Sequence, residues 1–95
     1  MENKTAFVET NTQLEPLGRV VKVKRMHITA AGVQAKVEIK SGGSGAKGST
    51  RITEIVPANE GKSFEYGEGF LINDGLYVNF AAGVTSALIE YAVIA

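Results

Sequence analysis

Val33-Gln34-Ala35-Lys36-Val37-Glu38-Ile39-Lys40 decides the fold class of this 95-residue chain. Val33, Ala35, Val37 and Ile39 alternate strictly with Gln34, Lys36, Glu38 and Lys40. Successive side chains of a strand point to opposite faces, so this pattern predicts a strand buried on one side and solvated on the other. Upstream, Arg19 to Thr29 (RVVKVKRMHIT) is rich in β-branched residues and reads as a second strand. Its two halves are out of phase, however. Val21 and Val23 face away from Lys22 and Lys24, whereas Val20, Met26 and Ile28 fall on the lysine face, so a bulge or bend is expected near Arg25. Ala30-Ala31-Gly32 between the two strands reads as a hairpin link.

Downstream, Ser41 to Ser49 has four glycines and nothing that packs, which predicts a mobile, exposed loop. Thr50 to Val56 reads as a strand stopped by Pro57, which cannot donate to a ladder. Lys62 to Phe70 alternates Phe64 and Tyr66 before Gly67 and Gly69 interrupt it. Asn73-Asp74-Gly75 is a turn signal, Leu76 to Phe80 a short strand and Ala81-Ala82-Gly83 another turn. The last strand, Ser86 to Ala95, is apolar on both faces, with Leu88, Ala92 and Ile94 on one and Ala87, Ile89, Tyr91 and Val93 on the other. Such a strand is either central in a two-layer core or meets another subunit. No segment has the 3.6-residue period of an amphipathic helix. Short strands separated by turns predict an all-β domain: a single antiparallel, jelly-roll-like β-sandwich of about six to eight strands over residues 17–95. Residues 1–16 read as a polar arm or first strand, with Ala6-Phe7-Val8 as strand and Asn11-Thr12-Gln13 as linker.

Composition removes several chemistries. With no cysteine and His27 as the single histidine, disulfides, thiolate zinc sites and multi-histidine metal sites are excluded. The start Met1-Glu2-Asn3-Lys4 is polar and followed by no apolar run, so neither a signal peptide nor a membrane span is expected, and the chain suits a reducing cytoplasm. A phosphate-binding loop fails on spacing, because Lys47 precedes Gly48, and Val56 stands where Gly61-Lys62-Ser63 would need its first glycine. His27 falls within a strand and has no nucleophile motif around it, while Glu65, Glu68 and Asp74 read as solvated acids in a turn region. Asn73 and Asp74 with Glu68 are too few ligands for calcium. Neither catalysis nor a cofactor is expected. Net charge is zero but uneven: +7 over Arg19–Arg51, −5 over Ile52–Ala95 and −2 over the first eighteen residues. These halves either meet, within the fold or across a subunit boundary, or are strand charges on solvated faces. Nucleic-acid binding is not favoured, because the aromatics Phe64, Tyr66, Phe70, Tyr77 and Phe80 lie outside the basic half.

From Gly18 to Tyr91 the order of pieces resembles the small β-sandwich structural proteins of tailed-bacteriophage virions, among them capsid decoration and head- or tail-attached proteins. The pieces are Arg19-Val20-Val21, the Ala30-Ala31-Gly32 link, Val37-Glu38-Ile39, the Gly/Ser loop, Thr50-Arg51-Ile52, Phe70 to Val78 with its Gly75-Leu76-Tyr77-Val78 step, and Ile89-Glu90-Tyr91. The resemblance implies a virion component that assembles as a symmetric oligomer, a trimer by preference, on capsid or neighbouring virion proteins. A domain this small gains stability by association. The candidate interface is then Leu88, Ile89, Tyr91, Val93 and Ile94 of the last strand, with the basic Arg19, Lys22, Lys24 and Arg25. A second reading, a carbohydrate- or ligand-binding module, rests on Tyr66, Phe70, Tyr77 and the acidic loops.

Overall fold

The computed structural model describes residues 2–42 and 49–95. The mobile, exposed loop expected over Ser41 to Ser49 falls for the most part on residues 43–48, outside the described residues, but its ends differ from that expectation: Ser41 closes β4 and is buried, and Ser49 opens β5. Eight strands are described: β1 (Glu2–Val8), β2 (Thr12–Glu15), β3 (Val21–Ala30), β4 (Ala35–Ser41), β5 (Ser49–Val56), β6 (Gly61–Ile72), β7 (Leu76–Ala82) and β8 (Val84–Val93). They form two four-stranded antiparallel sheets, ordered β1-β8-β3-β6 and β2-β7-β4-β5.

The alternation that decided the fold class is realised in β4. Ala35, Val37 and Ile39 are buried and Lys36, Glu38 and Lys40 half-buried on the other face. Val33 lies before the strand and is 60% exposed. In β3 the phase conflict is resolved as expected. Its pairing with both neighbours shifts between Val23 and Arg25, so Val21, Val23, Met26 and Ile28 all point inward. Two successive residues, Lys24 and Arg25, stay out of the interior.

β6 is continuous through the two glycines instead of ending there. Only Lys24 of β3 lies opposite Tyr66–Gly69 of β6, so β6 bulges, and Gly67 and Gly69 take φ of 62° and 124°. A side chain at Gly69 would meet Lys22 Cβ at 2.7 Å, so this bulge requires glycine. Buried apolar residues from both sheets form one cluster, with Met26, Ile28, Ile39, Ile72, Leu76 and Ile89 its largest fully buried members. Each such side chain contributes about 1.5–3 kcal/mol on leaving water.

Two expectations change. Ala30-Ala31-Gly32 does not make a hairpin, because β3 and β4 belong to different sheets and the link crosses between them. Residues 1–16 hold two strands: β1 pairs with β8 from Glu2↔Val93 to Val8↔Ala87, and β2 pairs with β7. The Asn11-Thr12-Gln13 linker of the sequence reading lies partly in β2. Asn11 Oδ1 accepts a hydrogen bond from the Phe80 amide at 2.7 Å, which holds the approach to that strand.

Candidate functional site

The outer face of the β1-β8-β3-β6 sheet carries a convergent group of polar side chains. Strand register lays them out in rows. One row runs Phe7, Leu88, His27, Ser63 across β1, β8, β3 and β6; the next runs Thr5, Glu90, Arg25, Glu65. The β3 bulge creates this layout, since it sets Arg25 and His27 outward while Met26 between them stays in the core. Arg25, His27, Ser63, Leu88 and Glu90 line a depression of about 270 Å³.

Its polar groups pair with each other. Arg25 Nε donates to Glu90 Oε2 at 2.8 Å, and His27 Nδ1 lies 2.8 Å from Ser63 Oγ. A nucleophilic serine needs its histidine oriented by an acid on the second ring nitrogen. Here Nε2 faces Gly61, where an added Cβ would lie 3.2 Å away, and among the described residues no hydrogen bond reaches it. Glu90 and Glu65 stand one row away in register, on either side of Arg25, and Glu90 is engaged by it.

A second polar cluster lies inside. Glu15 of β2 is 4% exposed, and its Oε2 accepts from Lys4 Nζ of β1 at 2.9 Å and from Tyr91 Oη of β8 at 2.8 Å. Burial alone would raise the Glu15 pKa, but the bonds from Lys4 and Tyr91 outweigh it and hold the carboxyl below its ordinary range. At the opposite edge Tyr66 Oη of β6 donates to Glu54 Oε2 of β5 at 2.7 Å. Burial first, then the carboxylate each one meets, pushes both phenols up. A tyrosine–glutamate bond therefore joins the two sheets toward each open side, Tyr91 of β8 to Glu15 of β2 and Tyr66 of β6 to Glu54 of β5.

The residues expected at an interface separate. Ile89, Tyr91 and Val93 are buried in the chain's own interior and offer no surface to a partner, because β8 is a central strand whose inward face they form. Leu88 and Ile94 stay outside, 37% and 41% exposed. Arg19 lies before β3, while Lys22, Lys24 and Arg25 are on it. Lys36, Lys40 and Arg51 belong to the other sheet, so the basic half of the sequence is divided between two sheets.

Tyr66 and Phe70 meet edge-to-face at 6.5 Å on β6, whereas Tyr77 sits on β7 in the other sheet, so these three aromatics do not share a site. The sequence reading missed Phe7 as a surface residue and the pairing of His27 with Ser63. Alternation around Phe7, between Ala6 and Val8, was the available signal for the first. The second joins residues 36 positions apart and had none.

No protein-family model matches the chain, and no curated protein matches it. Among solved structures it is similar to a crystal structure of PirA, at 11% identity and a TM-score of 0.43, over 99% of this chain and 94% of that one. It is also similar to a structure from Bacillus endospore appendages, described as a family of disulfide-linked pili, at 10% identity and a TM-score of 0.47, over 99% and 90%.

Proposed function

We propose that this chain is a single jelly-roll sandwich that works as a non-enzymatic structural subunit, associating with copies of itself and with neighbouring proteins of a phage particle. The strand order supports the fold. β1 pairs with β8, β2 with β7, β3 with β6 and β4 with β5, the nesting made when one long hairpin is wrapped around a core. The observation that carries the function is the outer face of the β1-β8-β3-β6 sheet. Phe7 and Leu88 stand exposed side by side, next to charges that are already paired, a combination suited to being covered by protein. The lone histidine, with no acid on its second nitrogen among the described residues, supports binding over acyl transfer. The phage particle comes from the sequence resemblance, and a cysteine-free chain suits assembly in a reducing cytoplasm.

Sedimentation equilibrium of the full chain at micromolar concentration tests association, and mass spectrometry of purified particles from the host tests incorporation. An oligomer that is also present in particles is expected. A strict monomer absent from particles overturns the proposal.

A further inference from the structure

The depression on the outer face suits one kind of guest. Arg25 Nε is bound to Glu90 and His27 Nδ1 to Ser63, each at 2.8 Å, so a polar ligand seeking those two atoms must displace a partner already in place, with little net gain. An aromatic ring makes no such demand. It packs on Leu88 and the imidazole and lies against the Arg25 guanidinium, where its π-face attracts the cation. The space, about 270 Å³, exceeds the roughly 150 Å³ known to accommodate a benzene ring.

The same face carries such a ring. Phe7 is 63% exposed, points outward between the inward Ala6 and Val8, and lies in register beside Leu88, one strand away from the depression. Knob and hollow on a single face satisfy a two-fold axis placed between them, because each copy then gives what the other receives. The face is large enough. Four strands of about ten residues span roughly 19 by 33 Å, or about 600 Å² before side-chain relief. Stable interfaces take about 600–1,000 Å² from each partner.

We infer that the outer face of the β1-β8-β3-β6 sheet is an interface between two copies of this chain, with Phe7 of each copy seated in the hollow of the other. This rests on the proposed self-association and names the surface responsible for it.

Sedimentation equilibrium on the full chain, Phe7→Ser, Ser63→Trp and an equimolar mixture of the two variants tests it. Phe7→Ser removes the knob, and Ser63→Trp fills the hollow from an exposed strand position that accepts an aromatic. The wild type is expected to dimerise, and each variant to raise the dissociation constant at least about 30-fold, the effect of a central aromatic anchor. The mixture is expected to associate more tightly than either variant alone, since a mixed pair keeps one Phe7 and one open hollow. Should Phe7→Ser lose its far-ultraviolet strand spectrum, Ser63→Trp carries the test. A monomeric wild type overturns both this inference and the association reading. An oligomer that both variants leave intact overturns only the inference, as does a mixture no tighter than its components.

Discussion

At the scale of single residues the buried Glu15 carboxylate has the clearest consequence. It receives hydrogen bonds from Lys4 and Tyr91, which hold its folded-state pKa below the ordinary 4.5. A depressed carboxyl stabilises the fold above its unfolded pKa, and that contribution is lost as pH falls through the folded value. The urea midpoint of the wild type is therefore expected to fall below about pH 4.5. Glu15→Gln, which keeps an acceptor for Tyr91 but no charge for Lys4, should be less stable at neutral pH by about 1–3 kcal/mol and should lack that acid slope. Parallel curves for the two proteins would exclude this role.

The tyrosines work in the opposite direction. Tyr66 and Tyr91 titrate above the ordinary 10.0 in the fold, so their contribution is complete below pH 10 and declines as pH rises beyond it. Tyr66→Phe should lose about 1 kcal/mol at neutral pH and soften the alkaline decline in the same assay. Neither cluster could be read from the sequence. Glu15 and Tyr91 are 76 positions apart, and a lone glutamate in a polar segment gives no sign that a fold will bury it.

At the scale of elements β3 shows what was legible and why. Two apolar patterns out of phase within one strand can share a face only through an extra residue, and the register shift lies where that logic placed it. Lys24 is the extra residue, which leads to a contrast between two deletions. Without Lys24, Val21, Val23, Met26 and Ile28 alternate without interruption and still point inward, so the loss should be about 1–2 kcal/mol of twist and side-chain packing. Without His27, Ile28 turns outward and Thr29 inward, because a one-residue slip moves every following side chain to the other face. That variant should lose more than about 3 kcal/mol or fail to fold, from the exposed isoleucine and the buried hydroxyl together. Thermal denaturation of both deletions decides it, and equal losses would mean that the bulge does not reside at Lys24. The Ala30-Ala31-Gly32 link reads as a hairpin, whereas in the fold it crosses from one sheet to the other. Small residues describe how sharply a chain turns and say nothing of which sheet it enters next.

At the scale of the molecule the chain's ends are brought together, Glu2 opposite Val93. Turn signals report only local geometry, so pairings across the whole sequence stayed hidden while the strand inventory did not. The double-faced apolar character of β8 raised two explanations, and its central position supplies one: Ile89, Tyr91 and Val93 are needed inside. That position makes β1 more than an appendage. It covers one edge of β8 over seven residues, buries Val8 and supplies the cation that partners Glu15. Removing residues 1–8 would turn a central apolar strand into an open edge, the arrangement most prone to pairing with other chains, and would leave Glu15 buried without its lysine. The truncated chain is expected to lose its cooperative urea transition or to aggregate, as followed by light scattering and size-exclusion chromatography. A peptide of Glu2–Val8 added in excess should restore part of the folded, soluble population by filling the vacated edge. If the truncated chain instead unfolds at the same urea concentration as the full chain, β1 is an arm that orders on docking, and the closure of β8 must be assigned to some other contact.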